Sequence, residues 1–199
     1  MQRSIITNLL HRQTITYNNN KNQLLNKIIK SPPCDVFINH RGTDTKRSVA
    51  SLLYDHLFQL RVCPFLDNKT MKPGDKLFEK IDAAIMECKV GVAVFSPRYC
   101  ESYFCLHELA LMTETKKKMI PIFCDVKPSE LRVLEKGTMS NEEVERFRLA
   151  LEEAKNTMGL VFNSQKGNWS DVVRDAADIV LESLEEIEEE EERMLYYDH

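Results

Sequence analysis

Short apolar runs alternate with amphipathic segments from residue 35 onward, and this alternation limits the fold more than any other feature. Five runs have the composition of buried strands, although the last is only three residues long. They lie at residues 36–38, 62–66, 90–95, 119–126 and 160–162. The segments that follow them repeat apolar residues every three or four positions, as helices do. Parallel strands need crossover connections of this kind, so the pattern predicts an α/β fold with a doubly wound parallel sheet.

Proline, polar spacing and turn residues refine the positions of these elements. Pro64 indicates that the second strand lies at a sheet edge, because proline cannot donate a ladder hydrogen bond. The run Val90–Phe95 does not alternate with polar residues, which is typical of a central strand buried on both faces. Residues 67–75 include a Lys-Pro-Gly turn and predict a loop, with Asp75 as the cap of the next helix. Asn141 is predicted to cap the fourth helix. The apolar stripes of the first two helices consist of Val49, Leu52, Leu53, Leu57 and Leu60, and of Leu77, Phe78, Ile81, Ile85 and Cys88.

Charge is distributed unevenly along the chain, whose formal net charge is -4. Residues 1–34 carry five basic side chains and no acidic one, whereas residues 181–199 carry nine acids and one arginine. We therefore expect a disordered basic extension at 1–33, a folded domain at 34–184 and an acidic tail at 185–199 that continues the last helix. An organelle transit peptide is the alternative for the first segment, although serine and arginine are scarce there. The nearly neutral middle offers no broad basic field, so nucleic acid is not an expected partner.

Several classes of protein are excluded by missing motifs. No apolar run reaches the roughly 18 residues that suggest a membrane span. The six cysteines form no Cys-x-x-Cys pair, which favours reduced thiols in a cytoplasmic protein and no metal site. The chain has no Gly-x-Gly-x-x-Gly, P-loop or Gly-x-Ser-x-Gly motif. His107 and Glu108 begin a zinc-protease motif, but Leu111 stands where its second histidine is needed.

Polar residues follow the first and third predicted strands at their carboxyl ends, where an open α/β sheet binds its ligand. Arg41 and Gly42 follow the first strand, and Ser96 follows the third. Phe104 and Glu108 are four positions apart, so a ring and a carboxylate share one helix face. That pair suits a flat heterocycle beside a sugar, whose oxocarbenium-like transition state a carboxylate stabilises, while Arg41 balances phosphates. The alternative interpretation is an exposed Glu108, a core Phe104 and an Arg41 paired with Asp44.

These residues, in order, resemble the plant Toll/interleukin-1 receptor (TIR) domain over about residues 34–184. The resemblance is specific because several separate matches occur in the same order and at suitable separations. The matching segments are Asp35-Val36-Phe37, Arg41-Gly42-Thr43-Asp44-Thr45, Val94-Phe95-Ser96, 102–109, Pro121-Ile122-Phe123, Asp125-Val126, Pro128-Ser129 and 146–154.

The resemblance implies a five-stranded parallel sheet in flavodoxin-like order, with a crevice between the first and third strands. Many plant members cleave the nicotinamide–ribose bond of NAD+ or NADP+ in immune signal transduction, releasing nicotinamide and ADP-ribose or cyclic variants. The dinucleotide is then a substrate, and no cofactor is implied. The family's catalytic glutamate corresponds to Glu108. The resemblance implies substrate contacts by His40, Arg41, Gly42, Ser96 and Phe104.

Self-association is the other property that the resemblance implies. The loop after the second strand, which includes Asp67, Lys72 and Gly74, is expected to help complete the site of a neighbouring copy. Other TIR-domain proteins are expected partners. Because no nucleotide-binding or repeat segment follows the domain, the sequence is similar to stand-alone TIR proteins.

Three departures from the family pattern support an alternative function. His40 replaces a phenylalanine, and Phe104 replaces a tryptophan. Leu52 stands where one self-association surface of the family uses a histidine. The alternative is a catalytically weak interaction module that binds other TIR-domain immune proteins.

Overall fold

A parallel five-stranded sheet forms the centre of the computed structural model, which describes residues 34–45, 49–134 and 139–197. The predicted basic extension at 1–33 lies outside the described residues. The strand order is β2-β1-β3-β4-β5, and every pair is parallel. This order confirms the flavodoxin-like sheet, and Pro64 lies in an edge strand as predicted. The strands are β1 (Val36–His40), β2 (Pro64–Phe65), β3 (Val90–Phe95), β4 (Lys118–Cys124) and β5 (Leu160–Phe162).

In the described part of the chain, five helices connect and cover the strands. They are α1 (Val49–Gln59), α2 (Leu77–Glu87), α3 (Tyr103–Glu114), α4 (Asn141–Asn156) and α5 (Trp169–Tyr197). Two four-residue helical turns, Gly42–Thr45 and Asp67–Thr70, and two 3-10 turns, Tyr99–Glu101 and Pro128–Glu130, lie in the connections. Helices on both faces explain why the central strands have almost uniformly apolar side chains.

Alternate residues of each strand enter two different cores because side chains alternate across a sheet. Val92 packs with α1 and α5, against residues such as Leu53 and Val180. Phe95 packs with α2, α3 and α4, against residues such as Leu109 and Phe147. Helices therefore cover both faces of the sheet.

The direction of winding changes between β1 and β3, which are neighbours in the sheet although β2 lies between them in sequence. Their register pairs His40 with Val94, so both strands end at the same edge. The loops after the two strands diverge there and leave the crevice that this topology uses for ligands. The sheet order thus places the residues after His40 beside those after Phe95.

The connection between β2 and α2 differs from the predicted loop. Its first four residues, Asp67–Thr70, form a helical turn because the Lys69 and Thr70 amides donate to the Leu66 carbonyl oxygen. The predicted cap is wrong as well. Lys76 precedes α2, whereas Asp75 accepts a hydrogen bond from the Lys72 amide at 2.9 Å.

The start of α4 also differs by one residue from the prediction. Ser140, not Asn141, is the N-cap, and its hydroxyl accepts a hydrogen bond from the Glu143 amide. The Glu143 carboxylate accepts in return from the Ser140 amide at 2.9 Å. This is a capping box, whose Ser-x-x-Glu spacing was present in the sequence.

Helix α5 passes through the predicted boundary at residue 184 without a break. Lys118 pairs with Glu186, and Lys89 approaches Glu191 at 3.1 Å. The beginning of the acidic segment therefore contacts the domain, and salt weakens such exposed pairs. Among the described helices none is both apolar enough and long enough to span a membrane.

Candidate active site

The start of α3 positions the predicted catalytic residue. The Ser102 hydroxyl caps the helix by accepting a hydrogen bond from the Cys105 amide at 3.3 Å. The preceding 3-10 turn brings the chain from the end of β3 back over the end of β1. Glu108 consequently lies in the second turn of α3, half-buried above the crevice.

Asn39 is the direct protein partner of Glu108. Its side-chain nitrogen donates to Glu108 Oε2 at 2.8 Å and lies 3.1 Å from the Cys105 carbonyl oxygen. The Tyr99 hydroxyl donates to Asn39 Oδ1 and lies 3.0 Å from the same carbonyl. Asn39 and Tyr99 are both 0% exposed. A buried network thus fixes the carboxyl group of Glu108.

Burial raises the pKa of Glu108 from its ordinary value to about 8. The hydrogen bond from Asn39 opposes this shift, whereas the negative charges of Asp67 and Asp82 add to it. Near neutral pH the group therefore exchanges between protonated and ionised forms, and a cationic ligand at the site favours the ionised form. Such a perturbed carboxyl group in a crevice is typical of functional sites.

Arg41 belongs to an ion-pair cluster beside this group. Its Nε lies 3.5 Å from Asp44, and its Nη2 lies 3.2 Å from Glu101. Asp44 also accepts hydrogen bonds from Ser96 and Arg98, each at 2.9 Å. The part of the alternative interpretation that pairs Arg41 with Asp44 is therefore confirmed, whereas its exposed Glu108 is wrong, because that side chain is half-buried. Any phosphate that reaches Arg41 has to compete with two carboxylates.

His40 and Gly42 complete the end of β1. The His40 side chain is buried, and its backbone carbonyl accepts a hydrogen bond from the Cys105 thiol at 3.3 Å. A side chain at Gly42 would point toward the His40 ring, whose Nε2 lies 4.0 Å from an ideal Cβ position. The buried His40 ring and Gly42 are thus neighbours at the carboxyl end of β1.

Phe104 is 42% exposed, so the interpretation of this ring as a core residue is wrong. Its ring contacts Phe78 of α2, with 5.2 Å between centroids, and Tyr103 at 6.2 Å. Phe104 and Glu108 lie one helical turn apart on α3, as their spacing predicted. An exposed aromatic surface therefore borders the carboxyl group.

The three residues predicted to assist assembly fall into two groups. Asp67 is exposed and close enough to Glu108 for its charge to raise the pKa of that carboxyl group. Lys72 and Gly74 lie in the exposed loop that follows the helical turn, and Gly74 has a φ of 101°, which favours glycine. Only Asp67 is electrostatically linked to the crevice.

The sequence interpretation did not single out Asn39, which contacts Glu108, or Phe78, which contacts Phe104. A polar side chain at the end of an otherwise apolar strand was the available signal for Asn39. Phe78 carried no such signal, because it fits the apolar stripe of α2. Among the described residues, His, Cys, Asp and Glu side chains form no group of three or more suited to a metal ion.

Comparison with known proteins agrees with this geometry. The sequence model of the TIR domain matches residues 34–194. BdTIR of Brachypodium distachyon, named a probable 2' cyclic ADP-D-ribose synthase, is 50% identical over 159 residues, covering 77% of this chain and 70% of that protein. TMV resistance protein N of Nicotiana glutinosa is 34% identical, covering 75% of this chain but 14% of that protein. The TIR domains of the activated Roq1 resistosome superpose with a TM-score of 0.65 at 27% identity, covering 74% of this chain and 99% of that one. The chain belongs to the TIR domain family.

Proposed function

We propose that this TIR domain cleaves the bond between nicotinamide and ribose in NAD+ or NADP+. The observation that carries the proposal is the carboxyl group of Glu108, held by Asn39 beside an exposed aromatic ring at the carboxyl edge of the sheet. The name of BdTIR, a probable 2' cyclic ADP-D-ribose synthase, supports the same chemistry. The dinucleotide is the substrate, and we propose no resident cofactor.

The proposed roles of Glu108 and Phe104 follow from where charge develops on the substrate during cleavage. As the glycosidic bond breaks, its electrons leave with the nicotinamide, which departs neutral, and positive charge develops on the ribose. The ionised Glu108 carboxylate stabilises that charge, while Phe104 holds the nicotinamide ring. Addition of water then gives ADP-ribose and a proton. Addition of a hydroxyl group of the same molecule gives a cyclic ADP-ribose and a proton.

His40, Gly42 and Ser96 are the proposed walls of the substrate site on the sheet side. Arg41 is a proposed phosphate contact, and its pairing with Glu101 predicts that substrate binding rearranges this ion pair. A phosphate is therefore expected to displace Glu101 from Arg41 when it binds. The same cluster accounts for the buried Ser96, whose hydroxyl donates to Asp44.

Assembly is the proposed trigger, and plant immune signalling in the cytoplasm is the proposed setting. A resistance protein and the TIR domains of a resistosome are among the relatives, which supports both proposals. Asp67, Lys72 and Gly74 are proposed to contribute to the site of a neighbouring copy. The exposed positions of all three are compatible with that role. Other TIR-domain proteins are further proposed partners.

Product identification tests this function. Protein that is concentrated or clustered on a multivalent support is incubated with NAD+ or with NADP+, and the products are separated and weighed by mass spectrometry. We expect one nicotinamide for each ADP-ribose or cyclic product. If both dinucleotides stay intact even when the protein is clustered, the proposal fails and the interaction module is favoured.

The pH dependence of the reaction provides a prediction about the state of Glu108. Because the ionised carboxylate is the active form and burial raises its pKa to about 8, kcat/KM for NAD+ should rise with pH and level off above about 8. Initial rates at low NAD+ concentration across this range measure the profile. A kcat/KM that falls as the pH rises would contradict an ionised Glu108.

A further inference from the structure

Phe78, in the first turn of α2, belongs to the apolar stripe of that helix but packs against a ring of α3 near the surface. It is 46% exposed, and its ring lies against Phe104 of α3 with 5.2 Å between centroids and 31° between planes. The same ring meets His107 edge-on at 5.9 Å. Two phenyl rings that touch each other and still expose nearly half of their surface form a small apolar wall.

The wall lies on the same side of the helix pair as the catalytic carboxyl group. Phe78 and Asp82 are four apart on α2, and Phe104 and Glu108 are four apart on α3, so each pair shares one helix face. Asp82 lies 3.3 Å from the ring of His107, and its charge raises the pKa of Glu108. The face of α2 that carries Phe78 is therefore the face that borders the site.

The distance between the Phe78 and Phe104 rings determines whether a base can bind between them. Carbon atoms in contact lie about 3.5 Å apart, so a base sandwiched between two parallel rings requires about 7 Å between them. Phe78 and Phe104 are closer than this and leave no room for a base between them. Phe78 instead blocks one side of Phe104 and restricts the rotation of its ring.

We propose that Phe78 is a positioning residue for the substrate: it fixes the Phe104 ring and widens the apolar wall on which the nicotinamide ring binds. This inference rests on the proposed cleavage of NAD+. The nicotinamide ring of NAD+ is flat and aromatic, so an aromatic surface binds it by stacking. One phenyl ring covers such a heterocycle less fully than the tryptophan of the family pattern, and Phe78 supplies further area.

The expected effect is on binding more than on the chemical step. A wall that contacts the ring equally before and during bond cleavage lowers KM without changing kcat. Phe78→Ala should therefore raise KM for NAD+ by about 5- to 20-fold, within the range of base–aromatic stacking. We expect kcat to change by less than about 3-fold, because Glu108 and Asn39 keep their contacts.

The test compares four forms of the protein with NAD+ as the probe. Phe78→Tyr retains the ring and should keep KM near that of the wild type. Phe58→Ala is the matched control, because Phe58 is 66% exposed and stacks on Tyr54 of the same helix, α1. It should leave KM unchanged. Thermal unfolding of each variant shows that the fold is retained.

The kinetic results either support or overturn the proposed role of Phe78. An unchanged KM in Phe78→Ala, a loss of kcat alone, or an equal rise of KM in Phe58→Ala would overturn it while NAD+ cleavage stands. If wild type cleaves no NAD+, the proposed function fails. The role of Phe78 in binding is then tested by comparing the dissociation constants of NAD+ for wild type and Phe78→Ala. A dissociation constant at least about 5-fold higher in Phe78→Ala supports the wall, whereas equal values or no binding to wild type overturn it.

Discussion

Asn39→Leu should lower the free energy of unfolding by about 1–3 kcal/mol and reduce NAD+ cleavage by about 100-fold. Leucine has the same branched arrangement of heavy atoms but makes no hydrogen bond. It removes the hydrogen-bond partner of the half-buried Glu108 carboxyl group and leaves the buried Tyr99 hydroxyl with the Cys105 carbonyl oxygen as its partner. An unpaired buried polar group costs about 1–3 kcal/mol, which sets the size of the expected destabilisation. Denaturant unfolding and nicotinamide release measure the two effects.

Tyr99→Phe is the matched control for this variant. It removes the hydroxyl that donates to Asn39 but leaves the hydrogen bond from Asn39 to Glu108 in place. We expect a loss of about 1 kcal/mol in unfolding free energy and a loss of activity well below that of Asn39→Leu. If Asn39→Leu retains wild-type activity, or if the two variants lose activity equally, Asn39 does not position Glu108.

The second large effect is a gain of stability when Glu108 loses its charge. Burial raises the pKa of Glu108 to about 8 in the folded chain, whereas the unfolded chain has the ordinary value near 4.5. Between these values the unfolded state releases its proton while the folded state retains it, so the wild type loses stability as the pH rises. Glu108→Gln keeps an acceptor for Asn39 and does not titrate. It should become more stable than wild type by about 2–3 kcal/mol between about pH 5 and about pH 8.

Unfolding curves of both proteins at these two pH values measure the difference. Glu153→Gln on α4 is the control, because this carboxylate is exposed and its replacement should change stability little at either pH. A difference between wild type and Glu108→Gln that stays constant with pH, or that shrinks toward about pH 8, would show that the folded state does not disfavour the charge.

The sheet could be predicted from the sequence because its signals are local. The uninterrupted apolar run at Val90–Phe95 indicated a central strand, and Pro64 indicated an edge. Strand order could not be derived in this way, since it depends on contacts between residues far apart in sequence. It came from the resemblance to the TIR family, and the pairing of β1 with β3 confirms it.

Side chains at the site were harder to predict than strands. Glu108 and Phe104 could be placed together because they lie four apart on one helix. The ion pair of Arg41 with Glu101 depends on the 3-10 turn after β3, which has no sequence period. The hydrogen bond of Asn39 to Glu108 joins residues 69 positions apart, and only the fold brings them together.

The apolar periodicity of the helices also predicted more buried residues than the structure has. Leu52 and Phe78 fit the stripes of α1 and α2, yet they are 45% and 46% exposed. A stripe defines a helix face, but the width of the contact with the sheet decides which members of it are buried. Residues at the margin of a stripe are then available for a site, as we propose for Phe78.

Nicotinamide release from NAD+ at about pH 8, compared between wild type and Glu108→Gln, tests the central claim most directly. Both proteins are clustered at equal concentration, and Glu153→Gln serves as the control. We predict equal rates for wild type and Glu153→Gln and a rate at least about 100-fold lower for Glu108→Gln, because the charge that stabilises the transition state is absent. Equal rates for wild type and Glu108→Gln would contradict the assignment of Glu108, and no release from wild type would contradict the cleavage of NAD+ itself.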